Sequence, residues 1–251
     1  MTRGWRAVAA MTPVVVVIIL WQVLIPAGSR TAFLLGRPDE IARAARNLVQ
    51  DPTYWQDLGA SVRVLVQGYG LGIIGGMVIG LVVWRLRNFG RIAEAYLVAL
   101  GSIPLFAVAP LLIFVLGIGV ETRVFIVTLS VLVPMALAAV SAAAETERHY
   151  SDLLRSFPRS RWQELRLIIA PGTLFACLPM LKPSANAALV AVFLSEWISA
   201  QNGLAKFVLA SMSIYNVPQM WVGLLTFVLL GVGFGSIVDL VERHVTKWRL
   251  S

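Results

Sequence analysis

Cysteine is nearly absent from this sequence. Cys177 stands alone, which excludes a disulfide framework within the 251-residue chain. Histidine is almost as scarce, and neither His149 nor His244 falls in an apolar run, so histidine-based ion coupling inside a membrane has no material. Charge is thin: 14% of residues are Lys, Arg, Asp or Glu, against about 25% in soluble domains. Strict polar/apolar alternation is missing from the apolar runs, which excludes a closed β-barrel. Also missing is Gly-x-x-x-x-Gly-Lys followed by Ser or Thr, so ATP chemistry through a phosphate loop would need another chain.

What remains is apolar: 58% hydrophobic residues and a mean hydropathy of +0.80 define a polytopic membrane protein. At about 20 residues per span the chain holds about six helices. The fold class expected is all-α, one transmembrane domain over residues 1–251. The spans read as Thr12 to Pro26, Ser61 to Trp84, Ala93 to Leu116, Arg123 to Ala143, Gly172 to Ser199 and Val217 to Val241. A cleavable signal peptide is the other reading of the N-terminus, since Arg3 and Arg6 precede Val14 to Leu20 and small residues follow.

With the N-terminus in the cytoplasm, thirteen basic residues fall inside, including Arg85, Arg148, Arg161, Arg166 and Arg243, and seven outside, mostly in one long segment. That bias places both termini and the insert at 144–171 in the cytoplasm. It also accounts for a pI near 10.4 without a nucleic-acid partner. The outer segment at 28–60 has Ile41, Ala44, Ala45 and Leu48 at helical spacing after Pro38, Asp39 and Glu40, an interfacial helix or a docking surface for a delivering protein.

Gly68, Gly72, Gly76 and Gly80 recur every four residues and predict a face for close helix packing. Gly70, Gly72 and Gly75 match a dinucleotide fingerprint, but without a preceding strand the match carries no nucleotide site. Pro104, Pro110, Pro134, Pro179 and Pro183 interrupt three consecutive spans, as broken helices around a transport path do. Lys182 and Glu196 lie at membrane depth and are expected to line or gate that path. They are fourteen residues apart, roughly 21 Å along a continuous helix, too far to pair. Lys182 is expected near the cytoplasmic end of its span and Glu196 near the outer end.

In the insert, Tyr150, Leu153, Leu154 and Phe157 form an i, i+3, i+4, i+7 stripe. After Pro158 a second helix is expected to carry Trp162, Leu165, Ile168 and Ile169. The pair reads as a cytoplasmic helix-turn-helix that offers its stripe to a partner's groove or folds back on its own bundle.

These residues carry a resemblance. The family motif Glu-Ala-Ala, three residues, Gly, nine residues, Ile-x-Leu-Pro has its frame here in Asp152, Leu153 and Leu154, then Pro158, then Ile168 to Pro171. Ser102-Ile103-Pro104, Ala109-Pro110-Leu111, Ser160-Arg161-Trp162-Gln163, and Glu196 followed by Gly203-Leu204 are similar too. The chain thus resembles the membrane-spanning permeases of bacterial ABC importers of the nitrate, taurine and sulfonate type, with a degenerate motif. The resemblance implies a non-catalytic permease of the bacterial inner membrane, two subunits enclosing an alternating-access pathway for a small solute, expected to be an anion. Tyr150 through Trp162, Arg161 included, would dock on a cytoplasmic ABC ATPase dimer, and an extracytoplasmic binding protein would deliver the solute. No cofactor or metal is expected on this chain, ATP and Mg belonging to the ATPase. The competing classes are an ATP-independent channel or secondary transporter and a non-transporting scaffold.

Overall fold

The computed structural model describes residues 3–86, 90–150, 160–199 and 201–247, the side chains of 3–11, 14, 161 and 247 excepted. Every regular element among them is helical. In order they are α1 (Arg3–Leu24), α2 (Arg30–Leu35), α3 (Pro38–Val49), α4 (Pro52–Arg85), α5 (Gly90–Gly101), α6 (Leu105–Leu116) and α7 (Val120–His149). Then come α8 (Arg161–Glu164), a π-helical turn (Leu165–Ile169), α9 (Ala170–Cys177), a 3-10 turn (Leu178–Met180), α10 (Leu181–Ser199), α11 (Leu204–Ser213) and α12 (Val217–Lys247). The all-α membrane class is therefore observed.

Four helical runs are long and apolar enough to cross a bilayer: Pro52–Arg85, Val120–His149, Trp162–Ser199 and Val217–Thr246. The third expected span is a pair, α5 and α6, bent by 91°. Pro104 stands as the N-cap of α6 with ψ 110, extended backbone that ends one helix and starts the next, whereas Pro110 is carried inside α6. Val15–Leu24 is a shorter apolar helix, and the expected first span is correspondingly shorter than a full crossing. The fifth expected span begins earlier than Gly172, at Trp162. A π-helical turn ends two residues before Pro171, and the insert's second helix runs on through it into α9 and α10.

The chain divides into two compact units, Ala60–Gln201 with Leu229–Ser251, and Met1–Gly59 with Asn202–Val228. In the first, α7 is central: Ile126, Val127, Val131, Met135, Ala136 and Ala139 are fully buried. Gly68, Gly72, Gly76 and Gly80 face it, and a Cβ on each would sit 2.5 to 2.7 Å from the Cβ of Val127, Val131, Met135 and Ala139 respectively. Pairs that advance together by four residues make α4 and α7 parallel and bring their backbones close. Parallel neighbours need a return crossing between them, which the bent pair α5 and α6 supplies. The run Trp162–Ser199 packs antiparallel to α7, since Gly172 abuts Thr146 at one end and Glu196 reaches Arg123 at the other.

In the other unit, Trp21 and Trp221 meet edge to face at 5.1 Å. Trp21 Nε1 donates to the Gly36 carbonyl at 3.2 Å and Trp221 Nε1 to the Leu35 carbonyl at 2.8 Å. Gly36 has φ +72, a left-handed backbone without cost only for glycine. α3 starts with Pro38 at its first turn and buries Ile41 and Leu48.

Candidate functional site

Residues at three levels of the Ala60–Gln201 and Leu229–Ser251 unit bear on function. At one end, Ser61 of α4, Arg123 in the first turn of α7 and Glu196 in the last turn of α10 converge. All three are buried, Glu196 to 1% exposure. Ser61 Oγ lies 2.7 and 2.9 Å from the two carboxylate oxygens of Glu196, sharing one proton between them. Arg123 Nη1 stands 4.0 Å from Glu196 Oε1. A carboxylate this dry keeps its charge only beside a counter-charge and donors, so the cluster ties three helices at one point.

Away from that end, Lys182 Nζ donates to Asp239 Oδ2 at 2.8 Å, joining α10 to α12. Lys182 lies near the middle of the continuous run Trp162–Ser199. Met180, two residues earlier, packs in the cluster of Met135, Ala139 and Cys177, midway along α7. The helix extends ten residues further back than the apolar run indicates, and Asp239 lies seven residues before Thr246, the end of its own run. Lys182 and Glu196 each have a partner of their own. The Lys182 side chain is 54% exposed and that of Asp239 29%.

At the opposite end from Glu196, the last turn of α7 and the start of the 161–199 run frame a cavity of about 570 Å³ lined by Glu145, His149, Tyr150, Leu167, Pro171 and Phe175. Tyr150 and Trp162 are exposed there, and Trp84 Nε1 donates to Glu147 at 3.0 Å. Of the residues expected to couple to a partner, Asp152, Leu153, Leu154, Phe157 and Pro158 lie outside the described residues, as does the side chain of Arg161. Of the proline candidates, Pro104 marks the 91° break and Pro110 lies inside α6.

Arg123, Ser61 and Asp239 escaped sequence reasoning as site residues. Arg123 counted only as a span-end cation, and nothing local in the sequence links it to Glu196. Asp239 had a usable signal: an aspartate within the apolar run Val217 to Val241 requires a counter-charge at membrane depth.

Comparison with known proteins bears on the arrangement. The family described as "Binding-protein-dependent transport system inner membrane component" matches residues 70–247. The riboflavin transport system permease protein RibX of Chloroflexus aurantiacus is 23% identical over 98% of this chain and 92% of its own. The formylaminopyrimidine transport permease protein ThiX of Halalkalibacterium halodurans is 23% identical over 99% of both chains. The putative aliphatic sulfonates transport permease protein SsuC of Bacillus subtilis is 23% identical over 94% of this chain and 86% of its own. Among solved structures, a chain of the inward-facing methionine ABC transporter MetNI has the same fold, with a TM-score of 0.66 and 17% identity over 78% of this chain and 99% of that one.

Proposed function

The chain belongs to the binding-protein-dependent transport system inner membrane components, and from that premise we propose that two permease subunits enclose an alternating-access pathway driven by a separate cytoplasmic ATPase dimer. The observation that carries the reading is the family match over 70–247, which takes in the second half of α4, all of α7, the 150–171 region and α12.

Arg85, Arg148, Arg166 and Arg243 stand toward the same end of these helices. Positive charge in short cytoplasmic segments makes that end the inner face, with both termini cytoplasmic. The stripe from Tyr150 through Trp162 then faces the ATPase, and the Ser61, Arg123 and Glu196 end faces an extracytoplasmic binding protein. ATP and Mg belong to the ATPase. Relatives named for riboflavin, formylaminopyrimidine and aliphatic sulfonates point to a small organic solute.

The test is co-purification of the detergent-solubilised protein from its native host, as wild type and as Leu154→Asp/Phe157→Asp. An ATPase recovered with the wild type and lost from the variant, and stimulated by a solute-loaded binding protein, is the expected result. No ATPase in either sample overturns the reading in favour of an ATP-independent channel or secondary transporter.

A further inference from the structure

We propose that Lys182, with Asn186 and Asp239, forms an anion-exchange station within the pathway, where the ammonium leaves Asp239 to hold the carboxylate or sulfonate of a passing solute. The proposal rests on the permease reading above and deepens it by assigning the solute's chemical class and the residues that meet it.

The first step is depth. Lys182 and Asp239 lie in two runs long enough to span a bilayer, Lys182 fourteen residues before Glu196 and Asp239 seven before the end of its run at Thr246. An ion pair there, with 54% and 29% of its side chains exposed, cannot face acyl chains: a charge at the bilayer centre turns toward the protein interior or a water-filled cavity. That leaves a face covered by the second subunit or one open to water, and the station requires water.

The second step is donor accounting. An ammonium carries three N–H donors and no acceptor, and Asp239 Oδ2 takes one of them at 2.8 Å. Asn186, four residues on and also exposed, lies on the same helix face and adds amide donors one turn away. Lys182 is the more exposed partner, so the cation is presented and the carboxylate is set back. Spare, exposed donors around a cation suit an anion with at least two acceptor oxygens.

The third step is energetic. The solute gives up its own water to meet the ammonium while water takes the ammonium's place on Asp239, which is 29% exposed, so the exchange is close to balanced apart from the repulsion between the two anions. A transport site needs that balance, favourable enough for the solute to stop and weak enough for it to leave. When no solute is present the pair is neutral as a whole, which spares the pathway an uncompensated charge.

The full chain in permeabilised membrane vesicles tests this through Asn186→Cys made in a Cys177→Ala background, since the one native thiol is buried. Two reagents are compared, the anionic sulfonatoethyl methanethiosulfonate and the cationic trimethylammonioethyl methanethiosulfonate, each rate normalised to that of free cysteine. The expected result is a preference for the sulfonate of about tenfold or more, the scale of local charge focusing in a cleft. Adding Lys182→Gln should abolish the preference and Lys182→Arg should keep it. Equal rates or faster reaction of the cation overturn the proposal. So does failure of both reagents on the native protein when the denatured protein reacts, because the face would then be dry. The labelling needs no partner chain, so its failure and failure of the ATPase co-purification are read separately.

Discussion

Arg123 and Glu196 stand 4.0 Å apart with side chains 5% and 0% exposed, joining the first turn of α7 to the last turn of α10. Removing one partner of a buried pair costs about 3–5 kcal/mol, less to the extent that Ser61 still donates to Glu196, whereas replacing both by apolar residues of similar size is often neutral. Arg123→Gln should therefore destabilise the protein strongly, and Arg123→Met/Glu196→Met should recover most of the loss. Thermal unfolding in detergent, read on single and double variants, checks both. A double variant that is stable yet fails to support solute uptake would assign the pair to transport; one that is stable and active would confine it to architecture.

The contact between α4 and α7 makes a sharper forecast because it discriminates between glycines on one helix. A methyl group at Gly76 would sit 2.6 Å from the Leu132 carbonyl oxygen, and backbone there cannot yield as a side chain can. At Gly70 nothing lies within 4 Å. Gly76→Ala should cost about 1–3 kcal/mol through overpacking, while Gly70→Ala should be neutral or gain up to about 1 kcal/mol from helix propensity. Unfolding midpoints of the two variants side by side settle the sign.

The class, the family and the four-residue glycine spacing were legible because each is written in local sequence: apolar content, a motif frame from Asp152 to Pro171, and a period matching one helix face. Helix extent was less legible. The apolar run begins near Gly172 but the helix begins at Trp162, because a π-helical turn carries polar Arg166 and tolerates Pro171 in a continuous run. Lys182 consequently stands twenty residues from the start of its helical run. The partners of Lys182 and Glu196 were illegible for a different reason: Asp239 is 57 residues away and Ser61 135, and no periodicity spans such separations. Charge inside an apolar run says that a partner exists without saying where it lies.

The segment outside the membrane yields a pH prediction. Asp39 accepts from Arg37 Nε at 3.0 Å, Gln22 Nε2 at 3.0 Å and Arg43 Nη2 at 2.8 Å. Its backbone N–H donates back to Gln22 Oε1 at 3.2 Å, so the carboxylate fastens the start of α3 to the end of α1. The Arg37 and Gln22 hydrogen bonds, with the Arg43 contact, hold the carboxyl far below its ordinary value of 3.8. A depressed folded-state pKa stabilises the native form above the ordinary value, and that contribution disappears only as pH falls below it. The clasp should thus hold unchanged from neutral pH to about pH 4 and open only in stronger acid. Trp21, bonded to the Gly36 carbonyl two residues before Pro38, reports on it. In 5-fluorotryptophan-labelled protein its fluorine resonance should stay constant down to that point and move below it. Asp39→Asn should shift the resonance already at neutral pH and flatten its acid response. A wild-type transition centred at or above the ordinary carboxylate value would show that the three donors do not hold the charge.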